Sequence, residues 1–190
     1  MKENLFRTIK KYKALLLLTA SVVLFALIIT LSLAFGGAKT IPSENVNTEP
    51  LKFVMPVANA TISKSYNNEE LQYNKTLNCW EIHKGLDLLA TSGDKVFACF
   101  EGKVTQIYSN YLEGTTIEIT HSDGLVSIYQ GLNSETKVSV GDNVSTNQEI
   151  GSVASLIGSE NEDGSHIHFE LLQDGEKIDP INYIEIGLKD

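Results

Sequence analysis

The rhythm of apolar positions changes twice along the chain. Residues 14–35, ALLLLTASVVLFALIITLSLAF, form an uncharged run of 22. At about 1.5 Å per residue that is long enough to cross a hydrocarbon layer about 30 Å thick. Residues 36–50, GGAKTIPSENVNTEP, are small, polar and proline-containing, and predict a linker without structure of its own. From Leu51 onward, short runs rich in β-branched and aromatic residues (KVFACF, GKVTQIYS, TTIEITH, LVSIYQGL) stand between turn signals such as TSGD, LEG and SDG. No sustained helical period appears there. Residues 51–190 are therefore expected to form one mainly β, antiparallel domain. TTIEITHSDGLVSIYQ predicts a hairpin with Asp123-Gly124 at its tip, and NNEELQYNK reads as a helical turn or a loop.

Charge orients the apolar run. Lys2, Arg7, Lys10, Lys11 and Lys13 precede it against the single acid Glu3. Basic flanks stay in the cytoplasm, so residues 1–13 are expected there, 14–35 as a transmembrane helix, and the rest outside. Cleavage after GGA is the alternative. A secretory h-region is usually only about 7–15 residues long, which favours an uncleaved anchor. From Lys39 on, 10 basic residues face 23 acidic ones, a net of −13, and such a surface repels nucleic-acid phosphates. Cys79 and Cys99 would lie where a disulfide is permitted, but Cys99 sits in apolar VFACF, and buried free thiols are the expectation. The tripeptides NAT, NKT and NVS fit a glycosylation acceptor and arise readily by chance in an Asn-rich chain.

The candidate chemistry lies in two stretches. In GSHIHFELL, His166 and His168 are two apart and share one face of a strand, while Ile167 and Phe169 point into the core. In HKGLDLLA, His83 and Asp87 are four apart in a loop running into a strand. Each stretch alone has a blander reading, as a hydrogen-bonded pair or a surface histidine beside a core aspartate. Together they offer imidazoles and a carboxylate, with one histidine to spare. Three such ligands leave a tetrahedral zinc one open position, and a fourth group not on the metal can carry a proton.

With these stretches in place, residues from about Phe53 to Ile184 resemble a LytM-like (lysostaphin-type) domain, a family of peptidoglycan-cleaving zinc endopeptidases. HKGLD, DKVFACFEGKV, TTIEITHSDGLVSIYQGL, VSVGDNVSTNQEIGSVAS and GSHIHFELLQDGEKIDPINYI match its landmarks in order. The resemblance implies His83, Asp87 and His168 as ligands of one zinc ion, and His166 as the unligated histidine that handles protons. It also exposes a departure. Family members usually read Tyr-x-His-Leu at the end of the central hairpin, where this chain reads Tyr129-Gln130-Gly131-Leu132. Losing a general acid–base group commonly costs about 10²–10⁴ in rate. His121, the spare histidine, is expected as a turn residue at the hairpin tip.

Ligands kept, hairpin histidine gone and one N-terminal anchor together resemble the anchored sporulation branch of the family. That resemblance implies a domain between the two membranes around a forespore. It also implies a partner anchored in the mother-cell membrane, and a ring-like hetero-oligomer. The alternatives are a working endopeptidase on peptidoglycan cross-links and an activator of cell-wall amidases. The absence of a coiled-coil segment counts against the last.

Overall fold

The computed structural model describes residues 52–185 and, ahead of them, residues 10–13, 18–19, 21–25 and 27, which are helical. Most of the expected membrane span and all of the expected linker lie outside the described residues, and among those described no helix is long and apolar enough to cross a membrane. The chain divides into two compact units, Met1–Asn47 and Thr48–Asp190. The second carries all the chemistry discussed below.

Among its described residues that unit has twelve short strands. They are β1 (Thr61–Lys64), β2 (Asn67–Asn74), β3 (Cys79–His83), β4 (Leu86–Leu89), β5 (Lys95–Phe97), β6 (Gly102–Asn110), β7 (Gly114–Thr120), β8 (Leu125–Leu132), β9 (Asn143–Val144), β10 (Glu149–Ser152), β11 (His166–Gln173) and β12 (Glu176–Ile178). The main sheet runs β1-β4-β11-β8-β7-β6-β9, with β12 also on β11, and each of these pairings is antiparallel. Two ribbons, β5–β10 and β2–β3, complete it. Mainly β and antiparallel is what the apolar rhythm predicts.

Period-2 alternation places the core and the chemistry on opposite faces of the same strands. On β4, Leu86 and Leu88 enter the core; on β11, Ile167, Phe169 and Leu171 do so, packed with Val96 and Ile150 of the β5–β10 ribbon. The intervening Asp87, His166, His168 and Glu170 share the other face. They too are buried, so the chain must cover them, and every buried polar group there needs a partner.

The β7–β8 hairpin turns at Ser122–Leu125, where the Leu125 amide donates to the Ser122 carbonyl and Asp123 and Gly124 have φ of +56° and +72°. Two consecutive left-handed residues match the right-handed twist of the flanking strands, which explains the Asp-Gly pair. His121 departs from expectation. It is buried at the base of the turn, with Nε2 2.7 Å from Ser127 Oγ and Nδ1 2.7 Å from the Glu101 carbonyl, against the rings of Phe53 and Phe100. Burial lowers its pKa, so it is a neutral core histidine.

The stretch NNEELQYNK also departs. It is mostly strand β2, with Gln72, Tyr73 and Asn74 paired to Glu81, Trp80 and Cys79 of β3. The strand is held by this pairing and by Asn74. The Asn74 amide donates to Glu81 and to the Ser159 carbonyl, while its oxygen accepts from the Leu77 amide in the turn. Cys99 is a buried free thiol as expected. Cys79, also free, is only half-buried on the hairpin.

The other end of β8 decides what the site can be. Thr115 pairs with Leu132 and Ile117 with Tyr129, so Thr116 alone faces both Gln130 and Gly131. The extra residue is a bulge. Gly131 has φ of +84°, and a Cβ there would lie 2.5 Å from Ile157 Cδ1 and 2.9 Å from the His166 carbonyl oxygen. Gln130, paired with His168, is the adjacent β8 residue that lines the cleft over the site.

Candidate metal centre

Three segments deliver the functional side chains. Strand β11 presents His166 and His168; β4 sets Asp87 directly across from His168; β3 ends on His83. Close approach is needed where the chain turns from β3 into β4, since a Cβ on Gly85 would lie 2.6 Å from His168 Nε2. Asp87 sits at the centre, 1% exposed. Its Oδ1 is 3.0 Å from His83 Nε2 and 2.8 Å from His168 Nδ1.

The outer nitrogens define how each ring is held. His83 Nδ1 is 2.9 Å from the Ser65 carbonyl, and His168 Nε2 is 3.2 Å from Glu170 Oε1. A carbonyl and an ionised carboxylate only accept, so both outer nitrogens carry hydrogen and donate. Burial would raise the Glu170 pKa, but contacts from His168 and Lys177 lower it and keep it ionised. The inner nitrogens, His83 Nε2 and His168 Nδ1, therefore aim lone pairs or a second proton at the Asp87 carboxylate. Histidine fixed from behind by a carbonyl or carboxylate is the arrangement that orients imidazoles on a metal.

The structure adds a residue that sequence reasoning missed. Glu160, from the acidic loop SENEDG, is 5% exposed and brings Oε2 to 3.5 Å from His168 Nδ1 and Oε1 to 3.9 Å from His83 Nε2. One donor atom from each of His83, Asp87, Glu160 and His168 lies within 4.8 Å of the others. Tetrahedral zinc, with bonds of about 2.0–2.1 Å to nitrogen and oxygen, spaces its ligands roughly 3.3 Å apart, so the donor set fits. Asp87 Oδ2 agrees, being a buried oxygen without a hydrogen-bond partner. His166 lies beside the cluster, 1% exposed, with Nδ1–H donating to the Gly164 carbonyl at 2.8 Å and Nε2 3.4 Å from Glu160 Oε2 and 4.0 Å from Asp87 Oδ1. A cleft of about 300 Å³ opens onto His83, His168, Glu160, Gln130 and Glu170.

Residues 81–180 match the model of peptidase family M23. The chain belongs to that family. Stage II sporulation protein Q of Bacillus subtilis is 36% identical over 115 residues, which is 60% of this chain and 39% of that relative. The chain thus spans well under half of that relative's length. A structure of the SpoIIQ–SpoIIIAH pore-forming complex superimposes with a TM-score of 0.62 at 30% identity, covering 70% of this chain and 91% of that one. The catalytic domain of the antimicrobial peptidase lysostaphin from Staphylococcus simulans gives a TM-score of 0.54 at 28% identity, covering 66% and 92%. Within the region matched to M23, a cluster of groups that could hold a metal ion lines a cleft beside a β8 terminus that carries no imidazole.

Its electrostatics predict an inverted response to pH. For His168, burial pushes the pKa down, but the Asp87 and Glu170 carboxylates overcome it and raise the pKa to about 10. For Asp87, burial pushes up, and the contacts with His168 and His83 hold it well below the usual carboxylate range. In chelator-treated protein, the raised histidine stabilises the fold fully below its unfolded pKa near 6.5. That contribution is lost as pH rises toward about 10. The depressed aspartate contributes above its unfolded pKa of about 3.9 and is lost in more acid solution. Denaturant titrations with chelator should therefore show stability falling from pH 6.5 to 10. With zinc added, which needs a neutral imidazole, stability should rise over the lower part of that interval. A flat profile in both conditions would contradict the arrangement of His168 against Asp87.

Proposed function

We propose that this chain is a membrane-anchored, catalytically weakened M23 domain. It holds one zinc ion and docks a mother-cell membrane protein like stage III sporulation protein AH across the intermembrane space during endospore engulfment. The observation that carries this reading is the likeness to SpoIIQ taken in complex with SpoIIIAH, together with Gly131 at the end of β8. Residues 1–13 would lie in the cytoplasm of the forespore and residues 14–35 would span its membrane. The net of −13 beyond Lys39 suits a protein partner rather than nucleic acid.

Zinc bound at the cluster would supply a positive charge able to polarise a carbonyl. His83, Asp87 and His168 would hold it, with Ser65 and Glu170 fixing the two rings. What the chain lacks is a second imidazole facing that centre across the cleft. Gln130, opposite His168, has an amide that cannot carry a proton at neutral pH. A missing acid–base group lowers turnover by about 10²–10⁴.

The second reading, an active endopeptidase on peptidoglycan cross-links, is favoured by the cleft over an intact His-Asp-His cluster. Two measurements on one preparation separate the readings. Titration calorimetry of the full chain in detergent with the outer domain of a SpoIIIAH-like protein should show saturable binding. Peptidoglycan incubated with the zinc-loaded chain should release no more new amino termini than with His168→Ala. Absent binding combined with His168-dependent release would reverse the assignment.

A further inference from the structure

From the placement of Glu160 we infer that this carboxylate is a fourth protein ligand of the metal centre, occupying the position at which M23 chemistry requires access for water and substrate. The inference rests on reading His83, Asp87 and His168 as a metal site and adds to it that the site is closed.

Four observations converge on Glu160. It is buried, and its two oxygens face the inner nitrogens of His168 and His83 at 3.5 and 3.9 Å, close to the spacing of ligands around one tetrahedral ion. It is not there for want of another partner. Lys64 Nζ, from the end of β1, binds Glu160 Oε1 at 2.9 Å and Asp163 Oδ2 at 3.1 Å, fastening the loop over the centre from behind. The same ammonium stops 3.5 Å from Asp87 Oδ2, a buried oxygen that no hydrogen bond satisfies. His166 supports the other oxygen, with Nε2 at 3.4 Å from Glu160 Oε2. The carboxylate is thus held on both sides, as a ligand side chain is when its outer partners orient it.

Charge agrees with geometry. Two neutral imidazoles and two carboxylates bound directly to a divalent cation make a neutral centre, whereas the same ion with three of those ligands and no Glu160 would keep one positive charge on the centre. The like charges of Asp87 and Glu160 oppose one another, and the Lys64 ammonium, 2.9 Å from Glu160 Oε1 and 3.5 Å from Asp87 Oδ2, offsets part of that repulsion from behind. Structural zinc sites are closed by four protein ligands, and catalytic ones keep a position for water. Glu160 therefore turns an open site into a closed one. Glu160 lies in the loop before β11, whereas Gly131 lies at the end of β8.

Cobalt(II) tests this on the full chain in detergent, because its visible bands report coordination and respond when an added ligand binds the ion. Wild type should show the strong bands of a four-coordinate site that do not change with acetohydroxamate. Glu160→Ala should show bands that shift when acetohydroxamate is added. Zinc affinity, by competition with a chromogenic chelator, should weaken by about tenfold or more in both Glu160→Ala and the better-packed Glu160→Gln. Wild-type bands that shift with acetohydroxamate as those of Glu160→Ala do, or equal zinc affinity in all three proteins, would overturn the fourth ligand while leaving the three-residue site standing. A wild-type chain that takes up no more cobalt than His168→Ala would overturn both.

Discussion

Asp87→Ala should strip the protein of zinc and destabilise it at the same time. Both inner imidazole nitrogens and the Lys64 ammonium converge on this one carboxylate, which is almost entirely buried. Removing it deletes a proposed ligand and leaves the Lys64 ammonium and a protonated His168 without their counter-charge. Breaking a buried ion pair from one side typically costs about 3–5 kcal/mol. For a domain of this size that is roughly 10 °C in thermal midpoint. The loss should persist in chelator, where no metal contributes, and differential scanning calorimetry with and without chelator separates the two parts. A variant with the wild-type midpoint in chelator would show that Asp87 is not the electrostatic centre of the site.

Gly131→His should not restore a peptidase. From the sequence the residue reads as a deleted imidazole, and reinstating it looks like a repair. The backbone says otherwise. At φ of +84° a side chain carries left-handed strain of about 1–2 kcal/mol. A Cβ would also press on Ile157 and on the His166 carbonyl, and overpacking of that kind typically costs about 1–3 kcal/mol more. The expected result is a destabilised domain with no gain in release of amino termini from peptidoglycan. Gly131→Ala should already show most of the loss, because the conflict begins at Cβ. A Gly131→His protein that melts like wild type and cuts peptidoglycan would mean that β8 can adopt an unbulged path.

These two residues mark the boundary of what the chain reveals before folding. His166, His168 and their apolar neighbours could be assigned to opposite faces because a strand's period is 2 and Ile167 and Phe169 need the core. Asp123-Gly124 could be placed at a hairpin tip because few residue pairs tolerate two left-handed positions in a row. That the two stretches could share a metal was legible from their residue types, and the family's motif order singled out His83, Asp87 and His168, since no spacing rule joins residue 83 to residue 168. Glu160 was not legible. Its loop holds three acids within four residues, and only the fold separates it from Glu162, by burying it against His166, His168 and Lys64. Strand β2 was missed because its polar exposed residues show no alternation, and pairing with β3 is what makes it a strand. His121 reads as a turn residue at the tip, and its ring turns inward to Ser127. Gly131 was recognised as an absence, but its bulge could not be.

The central claim is that a cation-binding centre survives in a domain that has given up the group across from it. Elemental analysis of the full-length chain after exhaustive dialysis, beside Asp87→Ala and His83→Ala prepared in the same way, tests it most directly. About one zinc per wild-type chain, with only background in either variant, is the predicted result. Equal zinc in all three proteins would contradict it.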